Sequence, residues 1–459
     1  MKTAYILFLI LFLAIGSYTF GQDQKITLNS LNMVVKEKHL YEIHSADDAS
    51  YTYSSKVLVS NENGRKLSRV TIHTGSYSKL DYFSMVIKDG DGNEIAEFNK
   101  RDLKRQKGEG RSNFYTDSDY YWISYRSNNY PYTAEIEYQV EYESLFFWPD
   151  WHPSNSEMTL ESEYVVQNPE KIPFRYKAYG NLKEPEINED KTKYTWKVSG
   201  LGEKSDEVRI PPEQEIQPYV AFVADEFSIE KSEGTQRTWD DLAAWYYSLA
   251  KKQYQLDSAE VKSLGLANLE GENPKAIAKQ LYEFVQANIR YVAVELGING
   301  WKPHSARKVC EVRYGDCKDK ATLLIGLLRY YGIEAHPVLI LSRDNGVVDP
   351  DFPGNRFNHV ITYLPNINGG HWLDPTSEYA AFDHLPVTDQ GAYVLVVTRE
   401  GGEMVKTPIL ADSVNNLHIE ADLKVKQNGN ARMRGTITGY GNWATNLRAT
   451  IGTIDDDEK

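Results

Sequence analysis

Two hydrophobic periods divide this chain. In "AEIEYQVEYES", Ala134, Ile136, Tyr138, Val140 and Tyr142 alternate with Glu135, Glu137, Gln139, Glu141 and Glu143, the two-residue period of a strand with one wet face. "SKVLVS", "SRVTIHT", "YFSMVIKDGDGNEIAEF" and "KYTWKVSG" repeat it between Gly, Asn and Asp turns. Strands are therefore expected almost throughout residues 45–227, and an antiparallel sandwich or curved sheet fits them best. "DGDGN" at residues 89–93 matches a calcium loop only at its start: Glu94 stands where the sharp-turn glycine is required and Lys100 where the bidentate glutamate belongs, so a hairpin turn is expected. The Tyr and Trp residues here, including "FFWPDWHP", suit strand packing, with a sugar- or peptide-binding groove as the alternative.

The period changes at Thr238. "TWDDLAAWYYSLAKKQY" opens with Thr238 and Asp241 as a capping pair and carries Leu242, Trp245, Tyr246 and Leu249 on one helical face. "NPKAIAKQLYEFVQANI" repeats helical spacing at Ile277, Leu281, Phe284 and Val285, with Pro274 near its start. A strand "RYVAVEL" and a loop "GINGWKPHSA" follow, and the polar residues 228–236 before them read as a linker. Beyond Ser377 the pattern is β again; "LHIEADLKVKQNGNARMRGTITG" reads as a hairpin about Asn428 and Gly429, marginal unless it docks or belongs to a longer sequence.

Composition adds a compartment. Lys2, an apolar run over residues 6–15, and Thr19 and Gly21 ahead of Gln22 read as a secretory signal peptide of residues 1–21, with no cysteine to carry a lipid. That run is shorter than the about 20 residues a bilayer needs, and none like it recurs. The mature protein is thus expected in a periplasm or outside the cell, with no transmembrane segment after cleavage. A net charge of −14 over 459 residues argues against a nucleic-acid or anionic-membrane surface, which would need clustered Lys and Arg.

Only two cysteines occur, Cys310 and Cys317. In "GDCKDKATLLIGLLRYYG", Ala321, Leu324, Ile325 and Leu328 form an apolar stripe, Asp316 is a suitable N-cap, Asp319 complements the dipole and Gly332 supplies a stop. Cys317 then falls in the first turn, where free N–H groups and the dipole favour thiolate and can stabilise an oxyanion. Its base and orienting group are sought in "NHVITYL" and "HWLDPT", joined by "PNINGG". If Leu364 pairs with His371, His359 lies opposite Thr376 and diagonal to Asp374; a tighter loop puts His359 directly opposite Asp374. Either register sets imidazole and carboxylate on one face. The alternatives are a structural histidine, a turn aspartate, a Cys310–Cys317 disulfide, and a metal site with His304 or His371, whose spacing is poor for zinc. The loop "SRDNGVVDPDFPGNRF", residues 342–357, precedes His359 and either borders a cleft or is plain solvent loop.

"GDCKDKATLLIGLLRYYGIEAHPVLI", "NHVITYL" and "WLDPT" resemble the Cys, His and Asp blocks of the transglutaminase-like superfamily, whose core is related to papain-like cysteine proteases. "LYEFVQANIRYVAVELGINGWKPHSA" resembles the same domain in bacterial members. The resemblance implies Cys317 as nucleophile, His359 as general base and acid, and Asp374 as orienting carboxylate, with Trp301 a candidate active-site wall or oxyanion donor. The whole mature chain resembles exported proteins frequent in Bacteroidetes, in which a β-rich domain of unassigned function comes first. The expected fold is multidomain α+β. A signal peptide at 1–21 precedes an antiparallel sandwich-like domain at 22–230, a transglutaminase-like domain at 236–400 and a C-terminal β segment at 401–459. The implied function is a cofactor-free thiol enzyme on a peptide, protein or cell-wall peptide amide, a peptidase or amidase in preference to a protein cross-linker, although the sequence itself does not choose between water and an amine as acceptor. The alternative is a binding or scaffold protein that meets a cell-envelope partner through its β domain.

Overall fold

The computed structural model of the chain describes residues 31–108, 114–153, 157–202, 211–269 and 273–452; the expected signal peptide lies outside the described residues. Two compact units divide after Gln236, residues 114–115 counting with the second.

The first unit is built on an eight-stranded sheet that is antiparallel except where Met33–Ser45 runs parallel to Met158–Gln167. Alternation gives a strand's buried face and says nothing of its partner's direction, so this pair was not foreseeable. Register places Val57 opposite Ala134 and Tyr51 opposite Val140, setting the apolar positions of neighbouring strands on one face. At one end that face meets Val70, Ile72 and Ile123 of a three-stranded sheet, and at the other Val220 and Phe222 of Tyr219–Ala224. Aromatic residues pack in both cores, and Trp148, Trp151 and Trp196 belong to the second. Trp148 stacks on Tyr41 at 4.3 Å between centroids and donates to the Tyr164 hydroxyl at 3.0 Å. Residues 89–93 form the expected hairpin turn, with the Asp89 carboxylate accepting from the Asp91 and Asn93 amides.

The second unit has a five-stranded antiparallel sheet in the order His371–Leu373, His359–Leu364, His336–Ile340, Tyr393–Val397 and Gly402–Lys406. Its helices begin where the capping residues indicated: Thr238 and Asp241 box the start of Trp239–Ala250, and Asn273 caps Pro274–Asn288. Three expectations change. Residues 228–236 are no plain linker, because Glu226–Ile229 and Ser232–Thr235 pair as a hairpin with Phe227 and Ile229 buried. "RYVAVEL" is broken into Arg290–Tyr291 and Ala293–Glu295. The C-terminal hairpin Leu417–Val425 with Ala431–Gly439 is followed by an unforeseen helix, Asn442–Gly452, while Ile419, Leu423, Met433 and Ile437 stay exposed. Among the described residues no helix is long and apolar enough to cross a membrane.

The helix Cys317–Tyr330 departs furthest from its pattern. Every residue from Cys317 to Leu328 is buried, not only the apolar stripe. Gly326 shows why the helix sits so deep: a Cβ there would lie 2.7 Å from the Tyr254 carbonyl oxygen and 3.2 Å from Ala306 Cβ. Helix propensity alone favours alanine over glycine by about 1 kcal/mol, but overpacking costs about 1–3 kcal/mol. Gly326→Ala is therefore expected to destabilise the second unit, read as a lower urea midpoint of the intact chain; an unchanged or raised midpoint would refute the close approach.

Candidate active site

The site starts at the N-terminus of Cys317–Tyr330. Asp316, in extended conformation, accepts from the Asp319 amide at 3.2 Å, and the Asp319 carboxylate takes the Asp316 amide in return at 3.3 Å, closing a reciprocal cap on a dry helix end. Asp319 also receives the His304 amide at 2.8 Å and lies 3.1 Å from His304 Nδ1, tying the loop after Gly297–Gly300 to the thiol. Asp316, Lys318 and Asp319 are each no more than 3% exposed, and the Lys318 ammonium bonds to the Asp316 carboxylate. Burial pushes Asp316 up to about 6 against the pull of Lys318. For Asp319 burial acts the same way, but the His304 hydrogen bond and the Lys318 charge outweigh it and hold the carboxyl below its ordinary range. His304 is raised, chiefly by its bond to Asp319.

The hairpin adopts the first of the two anticipated registers, Leu364 opposite His371 and Thr362 opposite Leu373. His359 Nε2 comes 3.3 Å from Asp374 Oδ2. The other oxygen, Oδ1, accepts from the Thr376 amide at 2.8 Å and its hydroxyl at 2.7 Å. Asp374 is thus a turn residue as well as a partner of the imidazole, and the turn fixes its carboxylate. The Tyr282 hydroxyl holds the Asp374 carbonyl from below at 3.0 Å. The Cys317 thiol acts on the same imidazole, and like Asp374 it favours the protonated ring. Burial opposes the imidazolium, yet the Asp374 charge and hydrogen bond and the thiol together raise His359 well above its ordinary value. Asp374 is fully enclosed, which would raise it, but His359 and Thr376 hold it low.

The structure thus gathers Cys317, His359 and Asp374. Trp301 packs on Trp245 at 5.5 Å between centroids, a packing contact in the loop that His304 anchors. Both cysteines are free, and burial pushes the Cys310 thiol up to about 11. His371 bonds to the Phe382 carbonyl and His304 to Asp319, so both histidines of the metal alternative are engaged elsewhere. The 342–357 loop is no plain solvent loop: Val348, Phe352 and Phe357 are buried, and the Trp239 indole donates to the Pro350 carbonyl at 2.6 Å.

Two groups were missed. Lys320 is fully buried, donates to the Ile289 carbonyl at 2.7 Å, and is lowered to about 8 by burial. Asp389, 1% exposed, has a carboxyl oxygen within 4.8 Å of ligand atoms of both His359 and Asp374. It sits in a loop turn, "VTDQG", where an aspartate is unremarkable in sequence.

Residues 267–374 match the family model of the transglutaminase-like superfamily. The second unit carries a transglutaminase-like domain. Residues 46–202 match a domain of unknown function with a solved structure, DUF3857. Among solved structures, a candidate protease from Parabacteroides distasonis ATCC 8503 aligns with 83% of this chain and 72% of its own at 13% identity and a TM-score of 0.64, a likeness that shows the multidomain α+β fold. A candidate cysteine protease from Cytophaga hutchinsonii covers 86% of this chain and 91% of its own at 12% identity, with a TM-score of 0.20, too low to bear on the fold. A search of curated proteins gave no match.

The cap of the transglutaminase-like domain's thiol helix yields a test. Removing one partner of a buried ion pair costs about 3–5 kcal/mol, whereas replacing both is often neutral. Lys318→Met is expected to destabilise by that amount, and adding Asp316→Asn, which keeps a capping side chain, to restore most of it in urea unfolding. Equal loss in the single and double variants would show that the pair is not the source.

Proposed function

We propose that this chain is an exported thiol enzyme that cleaves amide bonds in peptides, with Cys317 as nucleophile, His359 as general acid and base, and Asp374 as the carboxylate that orients the imidazole. One observation carries the reading: a thiol in the first turn of a helix acts on an imidazole whose Nε2 meets a fixed, buried carboxylate. Sulfur adds to the carbonyl carbon, and the oxyanion is met by helix-start N–H groups, which have no intrahelical acceptor. The imidazolium protonates the nitrogen as the C–N bond breaks, leaving a thioester. Water then gives a proton to His359 and adds to the thioester carbonyl, releasing the acid and restoring the thiolate.

No cofactor enters this sequence. Hydrolysis is favoured over transfer to an amine because the similar fold from Parabacteroides is described as a candidate protease. Export rests on residues 1–21, and a cell-wall or other extracellular peptide is the substrate class in keeping with it.

Native alkylation with iodoacetamide, followed by mass spectrometry, tests the couple before any substrate is known. At neutral pH Cys317 is expected to react much faster than Cys310, and to slow sharply in His359→Ala. On a cleaved peptide, Cys317→Ala should abolish turnover and Asp374→Ala lower it by roughly 10³–10⁴-fold. Cys317 alkylation that is slow and indifferent to His359 would move the chain to the scaffold reading.

A further inference from the structure

Asp389 belongs to no role assigned above. Its residue is 1% exposed, and Oδ2 is buried without a hydrogen-bond partner; Oδ1 accepts from the Thr388 hydroxyl at 3.2 Å. The loop is held firmly: the Thr407 hydroxyl donates to the Asp389 carbonyl, and the neighbouring Gln390 amide donates to Leu385 and accepts from the Leu410 amide. Carboxyl oxygens of Asp389 and Asp374 lie within 4.8 Å of each other, with both residues buried. Two carboxylates cannot both stay ionised at that range without large cost, and a shared proton removes the repulsion and supplies the missing bond.

We propose that Asp389 is a positioning residue, a neutral carboxylic acid whose hydroxyl donates to the Asp374 carboxylate and keeps that carboxylate aimed at His359. The inference rests on the catalytic reading of Cys317, His359 and Asp374.

The surrounding charges choose which acid carries the proton. Asp374 faces the His359 imidazolium, and the Lys320 ammonium also acts on it from the thiol helix. Asp389 has lost its water and faces the Asp374 charge, while Tyr282 on Pro274–Asn288 feels both acids and donates to the Asp374 backbone carbonyl. Burial first, then the Asp374 charge, raise Asp389 to about 8, only partly offset by His359. The acid is thus neutral at physiological pH and ionises as pH rises through about 8. Its protonation would stabilise the fold fully below the ordinary aspartate value of about 4, a contribution lost as pH climbs to about 8.

The test uses the full mature chain and two variants. Infrared difference spectra between wild type and Asp389→Asn at neutral pH should show one protonated-carboxyl stretch that disappears near pH 8. Asp389→Leu, which cannot donate, should slow Cys317 alkylation roughly ten- to hundredfold, the worth of a hydrogen bond to a charged group. Asp389→Asn, whose amide still donates, should recover most of that loss. Absence of the acid band, or an Asn variant as slow as the Leu variant, overturns the inference even if the Leu variant proves unfolded. Stoichiometric divalent metal bound by wild type and lost in Asp389→Asn also overturns it, since the cluster would then be ionised and ligating. A wild-type thiol no faster than that of His359→Ala overturns the catalytic reading and this inference with it; a fast wild-type thiol unmoved by both Asp389 variants overturns this inference alone.

Discussion

The second unit depends on charge placed inside a buried helix start. Asp316, Lys318 and Asp319 occupy three of the first four positions around Cys317 and are all nearly inaccessible. Dehydrating each ion costs several kcal/mol, so the arrangement persists only because each has a partner in place. Asp316 closes the cap and neutralises Lys318; Asp319 closes the reciprocal bond and fastens His304. The bonds between Asp316, Lys318 and Asp319 are local and move with the helix, whereas those from Asp319 to His304 and from Lys320 to the Ile289 carbonyl tie it to other segments and help fix where the Cys317 sulfur sits.

The imidazole is placed by a separate constraint that meets the first at sulfur. Strand register fixes His359, and the short loop to His371 fixes where Asp374 leaves the sheet. The Asp374 carboxylate would be free to rotate at a strand end, but Thr376 takes one oxygen and leaves the other for His359. Sheet geometry sets the distance, and a local turn sets the angle. Neither depends on the helix cap, so thiol and base are held by different parts of the fold.

This division explains what could be read in the sequence. The strand period at Ala134 to Tyr142, the capping pairs at Thr238 and Asp316, and the pairing of Leu364 with His371 are local rules, each expressed within about a dozen residues. With two hairpin registers left open, they placed His359 and Asp374 on one face, and the resemblance of the Cys, His and Asp blocks joined Cys317 to them. Burial depth was not legible. Lys318 and Lys320 look like the wet side of an amphipathic helix, because the sequence does not reveal that other elements enclose that side; Gly326, where only a missing Cβ admits the Tyr254 carbonyl, was the one hint. Asp389 was illegible for a similar reason. A turn aspartate gains meaning only when a distant hairpin places another carboxylate beside it.

The same anchoring bears on how an acyl enzyme would choose its acceptor. On the proposed reading, the charges at the start of the thiol helix are sealed away from solvent and would not distinguish water from an amine. Selection must fall to the walls around the partly exposed His359, and the loops nearest in chain order to the reacting groups are not loose. One is tied through His304 to Asp319 at the thiol helix, and the 342–357 loop is pinned by the Trp239 indole at Pro350. The first is fastened to the helix that carries sulfur, the second to Trp239–Ala250. On the proposed reading, preference between water and amine would then follow the shape of these loops and would change with their side chains while the charged cluster stayed as it is.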